Sequence, residues 1–283
     1  MRYRFLRFPE GKQKAVTLSY DDGCREDIKF ADIISEYGLK CTFNFNCEYM
    51  RNENLSVEEI KEHILSNGHE IAVHGANHRA EGRVRAIEGI KDVLDCRLEL
   101  EKKFGFIIRG MAYPDSGITV FSNGASYENI KQYLTDLDIV YARTLGGDNK
   151  SFSLPNDWHA WLPTVHHVNP NVLLFVDEFV NMDLSDRRNN AEPHLFYMWG
   201  HSYEFERDNN WDLLDTICDK IAHKDDIWYA TNMEIYEYVN AYNSLVYSAD
   251  GNVIYNPTLI DIWIVVDGTV YKISSGDTIN IEG

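Results

Sequence analysis

The chain has 283 residues, a formal net charge of −18 and 44% hydrophobic residues. That length and apolar fraction can fill the core of one large α/β domain or two ordinary ones, and the lack of a basic stripe excludes nucleic acid and anionic membrane surfaces as partners. No apolar run is long enough to span a bilayer as a helix. The opening MRYRFLRFPEGKQKA lacks the apolar core of a secretory signal, so the expected location is the cytoplasm. Cys24, Cys41, Cys47, Cys96 and Cys218 form an odd set with no CxxC spacing, which reads as scattered reduced thiols.

In chain order, short apolar runs alternate with amphipathic stretches. AVTLSY predicts a strand that ends in Asp21, Asp22 and Gly23, and Asp-Gly is also ordinary turn chemistry. CTFNFN predicts the next strand, and SVEEIKEHILSNG a helix with Ser56 and Glu59 at capping-box spacing and Gly68 at its end. EIAVH leads into HGANH, and RVRAIEGIKDVLDCRLELEKKFG predicts a long helix closed by Gly105. FIIRGMAY, IVYART, PTVHH, LFYMWGH and DIWYAT supply further strands, with SYENIKQYLTDL, NPNVLLFVDEFV, NWDLLDTICDKIA and NMEIYEYVNAYN as helices between or after them. Strands alternating with helices imply right-handed βαβ units, in a barrel or an open doubly wound sheet. Past residue 243 short strands separated by Asp-Gly and Ser-Gly turns predict a small all-β appendage. The expected division is therefore 1–242 and 243–283.

The polar residues collect at the carboxyl ends of these runs. Asp21 and Asp22 end the first, His74 and His78 follow the third, Arg143 ends the fifth, His166 and His167 the sixth and His201 the seventh. In a barrel that end is where loops gather functional side chains. His74 and His78, four apart on a compact turn, can face one centre and with one carboxylate make a two-His, one-carboxylate metal site. HEIAVH is not a metalloprotease helix, because His69 and His74 are five apart, roughly 140° off in azimuth at ~100° per residue. His69 reads as a turn or strand-entry residue.

Taken together and in this order, TLSYDDG, HEIAVHGANH, AYPDSG and LFYMWGH resemble the motif set of the polysaccharide deacetylase superfamily, over about residues 12–240. The resemblance implies a distorted (β/α)7-8 barrel and a divalent metal, usually zinc, with Co2+, Ni2+ or Mn2+ as alternatives. It also implies hydrolysis of an N- or O-acetyl group on a sugar or oligosaccharide. By position it makes Asp22, His74 and His78 the metal ligands, Asp21 the general base and His201 the general acid. The motif arginine that tethers the base falls on Ala112, and Arg109, three residues early, points to the other strand face. Arg143 is the expected replacement. Tyr113 and the backbone N–H of Asp115 are expected at the substrate, Asp115 as an oxyanion donor. Asp157 and Trp158 are the expected counterpart of an Asp-Trp pair lining the groove, and His167, rather than His166, is expected in the pocket. His63, His159, His194 and His223 receive no role. Two other readings remain at this point: hydrolysis of a non-sugar amide on the same barrel, and a carbohydrate-binding barrel without catalysis.

Overall fold

The computed structural model describes residues 2–52, 55–145, 151–186 and 189–281, so the last two residues of the expected appendage lie outside the described residues. The chain opens with β1 (Arg4–Arg7) and β2 (Lys14–Asp22). Every residue of β2 is buried, and KAVTLSYDD accordingly lacks the alternation of a strand with one wet face. There follow α1 (Glu26–Glu36), β3 (Cys41–Phe45), α2 (Cys47–Asn52) and α3 (Val57–Glu59), which continues as a wide helical turn through Ile60–Leu65. Ser56 and Glu59 make the expected capping box. Next come β4 (Glu70–Val73), α4 (Ala86–Phe104), β5 (Gly110–Ala112), α5 (Tyr127–Asp136), β6 (Tyr141–Arg143) and β7 (Val165–His166). The helix α4 stops at Gly105, whose φ of 80° is open to glycine without steric cost. The series ends with α6 (Val172–Val180), β8 (His194–Gly200), α7 (Tyr203–Arg207), α8 (Trp211–Ile221), β9 (Ile227–Tyr229) and α9 (Asn232–Asn243).

The strands form one curled parallel sheet in the order β6-β5-β4-β3-β2-β8-β7, with β9 paired to the first residues of β2. The gap between its ends is crossed by the stretch 161–166. Trp161 exchanges backbone hydrogen bonds with Ala142 and Thr144 beside β6, and Thr164 donates to the Tyr197 carbonyl on β8. The result is a distorted (β/α) barrel. Side chains alternate along each strand: Leu18, Phe43, Phe45, Met111 and Met198 pack under the helices, while Ala15, Tyr141, Leu195 and Tyr197 join a second apolar cluster.

The all-β appendage contains β10 (Val246–Tyr247), β11 (Val253–Tyr255), β12 (Ile262–Val266), β13 (Thr269–Ile273) and β14 (Thr278–Asn280). They form two three-stranded antiparallel sheets, β10-β11-β14 and β1-β12-β13. The first strand of the chain thus completes the C-terminal sheet, with Arg4 opposite Val266. Tyr238 of α9 ties the parts together: its hydroxyl donates to the Arg7 carbonyl at 2.7 Å and accepts from the Trp263 N–H at 3.0 Å. Among the described residues no helix is long and apolar enough to cross a membrane.

Candidate metal and catalytic centre

The carboxyl end of β2 delivers two adjacent aspartates to different surroundings. Asp22 leaves the strand in a left-handed conformation (φ 84°), followed by Gly23 (φ 77°), and this backbone, unusual for a non-glycine residue, turns its carboxylate toward the loop after β4. Its Oδ1 lies 3.3 Å from His78 Nε2 and 3.6 Å from His74 Nε2. That oxygen is buried and has no hydrogen-bond donor. His74 is oriented through its other nitrogen, Nδ1, which lies 2.9 Å from the Ala112 carbonyl; donation there leaves Nε2 as a lone pair facing Asp22. Burial opposes ionisation of Asp22, but the rings of His78, His74 and His201 outweigh it and hold its carboxyl below the usual range. Burial pushes the His74 ring down, which suits a neutral ligand. At His78, also left-handed (φ 52°), burial works against the charged ring and the adjoining Asp22 prevails, raising it.

The turn between the two histidines is held from both sides. Asn46 donates from Nδ2 to the carbonyls of His74 (3.2 Å) and Gly75 (2.9 Å). Asp92 of α4 accepts on Oδ1 from the Asn77 backbone N–H (2.9 Å) and from Asn77 Nδ2 (2.7 Å). Gly75 is left-handed and packs so closely on Asp92 Oδ2 that a Cβ would collide with it.

Asp21, whose Oδ2 lies 3.9 Å from the same His74 Nε2, forms a buried ion pair with Arg143 of β6. Its other oxygen, Oδ1, accepts from Asn44 Nδ2 at 2.8 Å, and Asn44 also donates to Ser19 Oγ at 2.8 Å. The Arg143 guanidinium lies 4.4 Å over the Trp199 ring, in the range of a cation–π contact. Arg109 is elsewhere, paired with Asp138 at the surface at 2.8 Å.

His201 follows β8 and reaches the same centre from the far side, with Nε2 3.9 Å from Asp22 Oδ2. Its Nδ1 is 3.4 Å from Glu204 Oε2, which also accepts the His201 backbone N–H at 3.2 Å. Burial opposes charge on this ring, but Glu204, Asp21 and Asp22 together raise it. Glu204 itself, despite burial, is held down to about 2 by His201 and the neighbouring His166 and His167. Glu204 carried no role in the sequence reading. Its signal was local: HSYE places an acid three residues after His201 at the opening of a short helix, the spacing at which a side chain returns to a backbone N–H.

Residues 9–140 match the family model for polysaccharide deacetylase. This stretch belongs to that family. No curated protein sequence matches the chain significantly. Among solved structures, one from Mycobacterium smegmatis named for the same family aligns over 84% of this chain and 94% of its own, at 18% identity and a TM-score of 0.56. A point mutant of the peptidoglycan deacetylase PdaC from Bacillus subtilis aligns over 82% and 94%, at 17% and 0.50. The Streptococcus pyogenes deacetylase PplD, solved with acetate, aligns at 19% over 46% of this chain and 55% of its own with a TM-score of 0.40, so this chain spans about half its length. At these identities the likeness is one of fold.

Within this barrel four residues expected at the substrate are held by packing or by other partners. Tyr113 is buried and donates its hydroxyl to the His159 carbonyl at 2.9 Å, so its ring packs the wall rather than lining a groove. Trp158 stands edge-on to Trp161 (4.9 Å) and Tyr236 (5.1 Å) in the cluster facing the appendage, while Asp157 accepts from Tyr127 and Lys131 at 2.7 Å each. Both are consumed by packing a long loop. His167 is stacked on Phe205 at 4.1 Å and buried, and burial drives its ring down to about 3. Of the adjacent pair it is His166 that stands beside His201, with ring centres 6.1 Å apart. The strand ends at His166, so alternation does not carry over to His167, and both rings reach Glu204 Oε2, at 3.4 and 3.6 Å. Asp115 is exposed, with a left-handed backbone (φ 49°) one residue past Pro114.

Proposed function

We propose that this protein is a divalent-cation-dependent hydrolase that removes an N- or O-linked acetyl group from a sugar or oligosaccharide. The observation that carries the reading is the buried, donor-less Asp22 Oδ1 facing two imidazole nitrogens at 3.3 and 3.6 Å. Metal bonds of about 2.0–2.1 Å at tetrahedral angles put donor atoms about 3.3–3.4 Å apart, so these side chains fit an ion with little movement. One carboxylate and two imidazoles suit Zn2+, and accept Co2+, Ni2+ or Mn2+. A cation bound there supplies a water of lowered pKa and polarises the acetyl carbonyl.

The remaining chemistry belongs to the chain. Asp21, fixed by Arg143 and Asn44, takes a proton from the attacking water; the ion pair keeps its carboxylate aimed. His201, supported through Nδ1 by Glu204, gives its Nε2 proton to the departing amine nitrogen or alkoxide oxygen, leaving acetate and the deacetylated sugar. The backbone N–H of Asp115 is the candidate donor to the developing oxyanion. A net charge of −18 favours a neutral acetylated sugar over a polyanion, and the Bacillus subtilis relative is named as a peptidoglycan deacetylase.

The test is acetate release from N- and O-acetylated sugars by the zinc-loaded protein and by Asp21→Asn. The variant is expected to keep its metal and lose about 10²–10⁴-fold in rate; normal turnover would show that Asp21 is not the base. Release of formate or ureide products without acetate would favour the amide reading, and sugar binding without any turnover the non-catalytic one.

A further inference from the structure

We infer that His166, His201 and Glu204 form a second divalent-cation site beside the first, and that an ion held there inhibits hydrolysis. The site stands on its own geometry, whereas its effect on turnover rests on the role proposed above for His201.

Three imidazoles close on a single carboxylate oxygen. Glu204 Oε2 is 3.4 Å from His166 Nε2, 3.4 Å from His201 Nδ1 and 3.6 Å from His167 Nε2. Charge-assisted hydrogen bonds from a ring N–H to a carboxylate run at about 2.7–2.9 Å, so all three contacts, the His201 hydrogen bond included, are long. The distances match instead the spacing of donors around a bound ion, and they repeat the 3.3 and 3.6 Å separations among Asp22, His78 and His74. Ligand atoms of His166, His201 and Glu204 all lie within 4.8 Å of one another. The donor set of two imidazoles and one carboxylate is that of the first centre, so the same cations suit both. His167 Nε2 is buried without a hydrogen-bond partner and turned toward the same oxygen, as a fourth donor.

The His166 and His201 side chains keep 16% and 21% of their exposure, enough for an ion to enter from solvent. Entry has one cost. His166 Nδ1 accepts the Val168 N–H at 3.1 Å, so ligation through Nε2 moves the ring proton to Nδ1 and releases that N–H to water beside an exposed Val168. This makes the second site the weaker of the two. An ion on His201 Nδ1 occupies the lone pair there. The ring then carries its one proton on Nε2 and cannot act as the imidazolium that protonates a leaving group.

Equilibrium dialysis against Zn2+ with elemental analysis counts the ions, and anomalous diffraction from wild-type crystals soaked in Zn2+ locates them. Two ions per wild-type chain are expected, one tight and one weaker. His166→Ala and Glu204→Gln should each weaken the second by more than about 100-fold, beyond the loss from an outer partner, and retain the first; His78→Ala should do the converse. Going from one to two equivalents should slow the wild type about tenfold or more and leave the rate of His166→Ala flat. One ion per wild-type chain, lost in His78→Ala and kept in His166→Ala, overturns the inference and leaves the first centre standing. One ion with the opposite pattern upholds the second site and removes the first. Two ions with an unchanged rate overturn the inhibition. Should the alanine variant fail to fold, an anomalous peak between His166 and His201 in the wild type, or none, decides.

Discussion

Arg143 is a fully buried cation whose Nη2 pairs with Asp21 while Nε and Nη1 have no acceptor, and its remaining face rests on Trp199. Breaking such a pair strands a charge at a cost of about 3–5 kcal/mol, so it holds the Asp21 carboxylate in one place. Strand periodicity set Arg109 aside, and the resemblance, which calls for an arginine beside the base, led to Arg143 at the end of the next strand; neither could show that the vacant Ala112 position serves His74 through its carbonyl. A second buried residue yields a prediction. His69 Nδ1 accepts the Cys41 N–H at 3.2 Å, and its Nε2 is 2.9 Å from Ser35 Oγ, which donates to the Ala31 carbonyl. With Nδ1 committed as an acceptor the ring must stay neutral, and burial, with Lys40 nearby, brings its pKa down to about 4. Between the ordinary value near 6.5 and that one the unfolded chain binds the extra proton, so stability is complete above this window and falls as pH drops through it. Denaturant titrations at pH 7 and 4.5 should show His69 contributing up to about 3 kcal/mol of the loss, and His69→Gln should flatten the difference.

The turn after β4 owes its shape to α4. Asp92 satisfies both Asn77 donors and fills the space that only Gly75 leaves open, so the helix positions the two histidines without touching an ion. Asp92→Ala should therefore weaken zinc binding about 10–100-fold, read by competition with a chromophoric chelator, while the thermal melt shows the barrel still folded. The helices with end signals were legible: Ser56 with Glu59 and Gly105 mark real boundaries. The helix α1 was not, because Arg25 at its start provides no side-chain cap. FIIRGMAY promised a longer strand than Gly110–Ala112, since apolar content reports burial rather than pairing. Asp92 and Glu204 escaped notice for one reason: on a helix, an acid that orients a neighbour has the same spacing as one that faces water.

At the scale of the whole molecule, barrel and appendage share one apolar cluster in which Leu6, Phe8, Leu195, Tyr197, Tyr238, Ile254, Ile262, Ile264 and Ile273 meet. Burial of side chains of this size stabilises by about 1.5–3 kcal/mol each, and the four isoleucines together approach the whole margin of an ordinary domain, about 5–15 kcal/mol. Deleting residues 246–283 should leave a fragment that is insoluble or melts far below the full chain; an unshifted melt would show a self-sufficient barrel. The turns of the appendage were readable from Asp-Gly and Ser-Gly. Its partner strand was not, because pairing between Arg4 and Val266 leaves no local trace in either segment. That pairing orders events on the ribosome. β1 is translated before the whole barrel and the strand it adds to only after it, so its row of backbone donors and acceptors stays open while the barrel is made, and the sheet is sealed only once β12 has followed.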